Sequence, residues 1–191
     1  MERKILSFEN SADFESWLEV HHNDDTGIWI LIAKKGIDQQ SISYAEALDC
    51  ALCYGWIDGQ KAKHDEYFWL QYFTKRKKKS IWSQINRENV GRLIELGRMR
   101  APGELAVNEA KKSELWDSAY QPVKSRTIPE DLEKALSTNK KANDFFDSLG
   151  SQNRFAFVFR LSTAKKAETR QKRLSEYIRM LENGEVFHPK K

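Results

Sequence analysis

The stretch Gly27–Lys35, GIWILIAKK, is apolar on both faces of a strand. Successive strand side chains point to opposite faces, so a half-solvated strand alternates in polarity, and this one does not. Such a run belongs at the centre of a sheet and needs partner strands around it. Glu2–Phe8 is a short β-like run, and Trp56–Lys63 and Glu66–Thr74 flank His64-Asp65 as a hairpin would. In the second of that pair, Phe68, Leu70 and Tyr72 face one side and Trp69, Gln71 and Phe73 the other.

Two helices interrupt these strands. Asn10 or Ser11 caps the first, which runs to about His22 with Phe14, Trp17 and Leu18 on one face. The turn cluster Asn23–Gly27 ends it. Ser43-Tyr44-Ala45-Glu46 is a capping box that opens a helix to about Tyr54, with Gly55 suited to its C-terminal turn. After Ser80 the periodicity is helical, over about 82–97, 102–112, 129–137, 140–148, 152–161 and 163–183. Thr127-Ile128-Pro129-Glu130 forms a second capping box, with proline at the first helical position. The fold expected is α+β: a small mixed, largely antiparallel sheet with helices in the N-terminal part, then a helical C-terminal part. Residues 123–127, VKSRT, lack periodicity and place a boundary near Tyr120–Arg126, giving regions 1–120 and 121–191.

Charge is unevenly spread along the 191 residues. Residues 1–74 hold 6 Lys/Arg against 13 Asp/Glu, residues 75–153 hold 16 against 11, and residues 154–191 hold 10 against 4. An acidic front and a basic back point to an anionic partner for the back half, or to mutual attraction within the fold. No run approaches the ~20 apolar residues of a membrane helix. The N-terminus lacks an apolar run of signal-peptide length, so the chain is expected to be cytoplasmic with reduced cysteines.

Several segments carry candidate chemistry. Cys50-Ala51-Leu52-Cys53 is formally a C-x-x-C, but it lies two turns inside a helix among apolar neighbours, where a thiol pKa rises. The scattered histidines do not complete a zinc set, and neither a metal nor a cofactor is expected. Asp58, between Gly55 and Gly59, sits where helix hands over to strand. It forms either an ordinary Asp-Gly turn or, with Trp56 and Lys61 on nearby surface, an acid/base or ligand-binding group. Lys75–Lys79 is a run of five cations near Trp69, Tyr72 and Trp82, which suits nucleic acid or a solvated, edge-protecting loop. The helix after it has an apolar stripe at Trp82, Ile85, Leu93 and Leu96, with Asn86 and Asn89/Val90 within or beside it, the asparagines as pocket or packing groups, and Arg87 on the other side. Lys165, Lys166 and Arg170 crowd the start of the last helix against its dipole, an arrangement that an anion would relieve, with Ser162 and Thr163 available as caps.

Three long segments resemble the YdeI/OmpD-associated, or bacteriocin-protection, family. They are Ser43–Gly59, Phe73–Met99 with its Arg76, Trp82, Asn86, Arg87, Arg92 and Arg98, and Ala164–Arg173 with its Lys165, Lys166 and Arg170. The chain differs in having only cations after Thr74, where a proline is common, and Phe159-Arg160-Leu161 where a tryptophan often precedes the last segment. The resemblance implies an α+β N-terminal domain with a helical C-terminal part and a role in protection against bacteriocins or antimicrobial peptides. It brings no established reaction.

The function expected is therefore a non-catalytic binding protein in stress or antimicrobial-peptide tolerance. Its partner would be a small anion or an acidic macromolecule, and its surface would use Trp56, Asp58, Lys61, Arg76, Trp82, Asn86 and Arg87. Two alternatives are nucleic-acid binding through the basic loop and last helix, which is less favoured, and an enzyme using Asp58 as acid/base.

Overall fold

The computed structural model describes residues 4–113, 115–117, 119, 128–164 and 166–189. Contacts divide the chain into two compact units, Met1–Gln121 and Pro122–Lys191, each with its own apolar core.

The first unit is built from β1 (Ile5–Leu6), α1 (Ser11–His21), β2 (Ile28–Ala33), α2 (Tyr44–Cys53), β3 (Trp56–Lys63), β4 (Phe68–Lys75), α3 (Gln84–Glu95) and α4 (Ala101–Lys112). The sheet order is β1-β2-β4-β3, with β1 parallel to β2 and the other pairs antiparallel. The apolar run at 28–33 is thus an inner strand. The sheet buries Ile28, Ile30, Ile32, Trp56 and Phe73 against Phe14 and Leu18 of α1 and six residues of α2. Glu2 and Arg3 lie outside the described residues, and of the expected first strand only Ile5–Leu6 pairs.

The β3–β4 ladder slips by one between Asp58 and Lys61: Asp58 stands opposite Phe73 and Lys61 opposite Gln71. Gly59 and Gln60 therefore share one partner, a β-bulge. The fully buried Gln71 amide fills the irregularity, its Nε2 donating to the carbonyls of Gly59 at 3.0 Å and of Gln60 and Tyr72 at 3.2 Å.

Local signals set the helix starts. Asn10 accepts from the Asp13 N–H at 3.1 Å, and both arms of the Ser43–Glu46 capping box form. Gly55 ends α2 at φ +73°, a conformation open to glycine. At Gly103 the backbone of α4 meets the C-terminal end of α2 so closely that a Cβ would run into the Cys53 carbonyl.

The stripe of α3 departs from expectation. Asn86, Val90 and Leu93 are buried together with the preceding Trp82, while Ile85 and Leu96 are 46% and 60% exposed. Ser83 caps the helix through the Asn86 N–H at 3.1 Å, and residues 86, 90 and 93, one face at the helical period, form the inward row.

The second unit comprises α5 (Glu130–Ser137), α6 (Lys140–Ser148), α7 (Ser151–Ser162) and α8 (Ala167–Glu182) around Leu132, Leu136, Phe146, Phe157, Leu161, Tyr177 and Leu181. Thr127 lies outside the described residues. Pro129 is the cap residue of α5 instead of its first helical residue, and it makes no side-chain cap bond. Ser162 and Thr163 do not cap α8. Their hydroxyls donate back to Val158 and Phe159 carbonyls at 2.8 and 2.9 Å, closing α7, and α8 begins later, at Ala167.

Candidate functional site

The basic end of β4 is organised by indole rings. Arg76 ties its N–H to the Gly55 carbonyl at 3.0 Å and lays its guanidinium 3.8 Å over the ring of Trp82. Trp82 is 2% exposed and meets Trp116 edge-on at 4.8 Å. Trp116 in turn carries Arg87 at 5.2 Å and Lys111 at 5.5 Å. Three cations, one just after β4 and one each from α3 and α4, are so held around two indoles, each contact worth ~0.5–1 kcal/mol at an exposed site. The only carboxylate paired with Arg87 among the described residues is Asp117, at 4.0 Å and 82% exposed. An open depression of ≈ 350 Å³ adjoins, lined by Gln84, Arg87, Glu88, Trp116 and Ala119. Beside it Lys77, Lys78 and Lys79 are exposed, with Lys78 facing Glu109 at 3.7 Å. Asn86 occupies the inward row of α3, 8% exposed, a place suited to packing.

A second cluster surrounds Asp58. Tyr44, the first residue of α2, donates its hydroxyl to Asp58 Oδ2 at 2.8 Å. The Lys61 ammonium lies 5.1 Å from the Tyr44 ring and 4.8 Å from the Trp69 ring. The bulge brings Lys61 to the Asp58 side. Trp56 does not join them on the surface: it is fully buried, its Nε1 donating to the His22 carbonyl at 2.8 Å, with Trp17 edge-on at 5.6 Å. Its role is to pin the end of α1 to the sheet. Tyr44 and Trp116 are the site residues that the sequence reading passed over. The first was visible only as part of a capping box, and the second as a lone indole after a helix.

The remaining arginines of the 73–99 segment are spent inside the fold. Arg92 Nη2 reaches both Asp49 oxygens at 2.7 and 2.8 Å, and Arg98 reaches Glu15 at 2.8 Å and Asp49 at 3.7 Å. The same corner holds the two cysteines, neither in a disulfide. Burial pushes the Cys50 thiol up to about 12, helped by the Glu15 carboxylate, and burial pushes Cys53 up to about 11 despite Arg98. Such thiols are poor nucleophiles.

Residues 6–106, which include both clusters except Lys111 and Trp116, match the family model described as Domain of unknown function (DUF8412). The chain belongs to the DUF8412 family. Residues 125–184 match a second model, Bacteriocin-protection, YdeI or OmpD-Associated. The YdeI/OmpD-associated resemblance is shown for that C-terminal part, whereas the 43–59 and 73–99 segments fall within the DUF8412 match. No curated protein and no solved structure matches the chain. Within the DUF8412 region, then, the long arginine-rich segment does two jobs: Arg92 and Arg98 lock helices, and Arg76 and Arg87 stack on indoles.

In the YdeI/OmpD-associated region, Arg170 is committed to the fold. Its guanidinium grips Asp131 at 2.7 and 2.8 Å and donates to the Leu161 carbonyl at 3.1 Å. The Arg170 hydrogen bond holds the Asp131 carboxyl below its usual range. Lys166 is the cap residue of α8 without a side-chain cap bond, and Lys165 lies outside the described residues. An anion clamp on Arg170 would have to displace Asp131. Among the described residues, no group of three His, Cys, Asp or Glu could hold a metal ion, and no helix is long and apolar enough to cross a membrane.

Proposed function

We propose that the protein is a non-catalytic binding protein of the bacteriocin-protection, YdeI/OmpD-associated type, acting in the cytoplasm in stress or antimicrobial-peptide tolerance. Its anionic partner binds the indole corner of the first unit. The observation that carries this reading is the ladder Arg76–Trp82–Trp116–Arg87/Lys111. Indoles hold a cation in place without cancelling its charge, so Lys111, and Arg87 beside the exposed Asp117 at 4.0 Å, are ordered and still attractive to an anion. The exposed Lys77–Lys79 extend the positive surface. The protective role rests on the family description of the C-terminal match alone.

The test is a titration with inorganic phosphate, citrate and a random single-stranded oligonucleotide across a salt series, on the wild type and on Arg87→Ala/Lys111→Ala. Saturable anion binding weakened by the double substitution is expected. A small anion gives a shallow salt dependence, whereas a polynucleotide gives a slope that grows with the phosphates neutralised. No binding of any probe at low salt removes the reading. Cells lacking the chain should also survive bacteriocin exposure less well, and equal survival sinks the protective role.

A further inference from the structure

A cavity of ≈ 500 Å³ opens in the first unit between the end of α1 and the starts of β1 and β2. Its size falls in the range of small-molecule pockets, roughly 300–1,000 Å³. Its floor is apolar, made by Leu6, Trp17 and Ile28. Its rim is unlike the indole corner. Asp24 and Asp25 stand on it, and the C-terminal, negative end of the α1 dipole points at it. Lys4 is the one lysine or arginine among the lining residues. His21, stacked on Trp17 at 4.5 Å, offers its Nδ1 to Asp24 at 3.0 Å, and among the described residues no side chain is paired with the Asp25 carboxylate.

This rim is built before any ligand arrives. Asp24 N–H closes a turn on the His21 carbonyl at 2.9 Å. Lys75 reaches the Asn23 carbonyl and side-chain oxygen at 3.4 Å from behind. At the other end Gly27 lies so close to the Phe73 carbonyl and the Tyr72 ring that no Cβ fits. A loop held at both ends loses little freedom on binding. None of these residues belongs to the anion surface, and the Lys75 ammonium is turned to Asn23.

We infer that this cavity binds an organic cation: a primary amine or guanidinium whose apolar body lies on Leu6, Trp17 and Ile28 and whose charge meets Asp24 and Asp25. An apolar floor with charge at one mouth selects amphipathic molecules, and the excess of carboxylate over ammonium there selects the positive ones.

Isothermal titration with phenethylamine, its neutral counterpart phenethyl alcohol and its anionic counterpart phenylacetate tests this on the full chain. Saturable binding of phenethylamine is expected, tighter than that of the alcohol and with no binding of phenylacetate. Asp24→Asn/Asp25→Asn should weaken the amine by about tenfold or more, the scale of losing a charged hydrogen-bond partner. Thr26→Trp, on the exposed rim, should block the mouth and abolish binding. Both variants alter exposed side chains, and their thermal melts confirm folding. Amine binding indifferent to the Asp24/Asp25 change, phenylacetate binding as tightly as the amine, or no saturable binding of phenethylamine each overturns the inference. Phosphate binding at the indole corner is measured separately, so either proposal can fail alone.

Discussion

Four arginines of the 73–99 segment fall into two pairs with opposite fates. Arg92 and Arg98, half-open to water, are paired with Asp49 and Glu15 at 2.7–3.7 Å. Arg76 and Arg87 rest on Trp82 and Trp116 at 3.8 and 5.2 Å, and the carboxylate that Arg87 meets, Asp117, stands 4.0 Å away and 82% exposed. The first pair meets carboxylates at short range, while the second lies against aromatic rings, with one long contact to an exposed carboxylate. A cluster of arginines in sequence is therefore not one surface. What lies under each guanidinium, carboxylate or ring, decides whether it builds the protein or serves it.

The strongest way to break this contrast is Trp82→Ala. It removes a buried indole shared by Arg76 and Trp116, so a loss of about 3–5 kcal/mol is expected in urea unfolding, with weakened anion binding. A small loss would mean that the ladder is ornament. Asp49→Ala comes next. With Asp49 15% exposed and its two arginines half-open to water, a loss of about 1–3 kcal/mol is expected, with anion affinity unchanged. A fall in affinity would erase the distinction between the pairs.

Arg170 should behave like Arg92 and Arg98, and acid can show it. Because Arg170 depresses the folded Asp131 pKa, the pair adds stability above the unfolded carboxyl value of about 4, and this is lost as pH falls through the lower folded value. Unfolding midpoints followed from pH 6 to pH 2 should drop less steeply in Asp131→Asn than in the wild type, and parallel curves would contradict the assignment. The smallest stability change belongs to Arg87→Ala, within about 0.5 kcal/mol, while the salt slope of polyanion binding falls by about one. The thiols give an independent reading of the locked corner. Cys50 and Cys53 should resist a thiol reagent at pH 8 until denaturant is added, and prompt labelling would show that the corner opens.

Much of the fold was legible because it is written locally. The inner strand shows in GIWILIAKK, the capping box in Ser43–Glu46, and the hairpin in His64-Asp65, each within a few residues. The misplaced stripe of α3 shows the limit of periodicity. Ile85 is apolar and Asn86 polar, yet the 86/90/93 row faces the core and buries the asparagine, leaving Ile85 exposed. The site was less legible because its decisive contacts are distant in sequence. Arg92 finds Asp49 43 residues away, and Arg98 finds Glu15 83 residues away. Trp56 looked like surface beside Asp58, but the carbonyl that claims its indole belongs to His22 at the end of α1.

The extra residue between Asp58 and Lys61 has a consequence that no substitution can reproduce. Strand side chains obey parity, and Asp58 and Lys61 have opposite parity, yet both reach Tyr44. One surplus residue changes even to odd. Removing Gly59 would leave every side chain in the chain intact but send Lys61 and Lys63 to the opposite face, and it would disrupt the Gly59 and Gln60 carbonyls that Gln71 now gathers. The meeting of acid, ring and ammonium at this edge is thus encoded by a count of residues as much as by their kind.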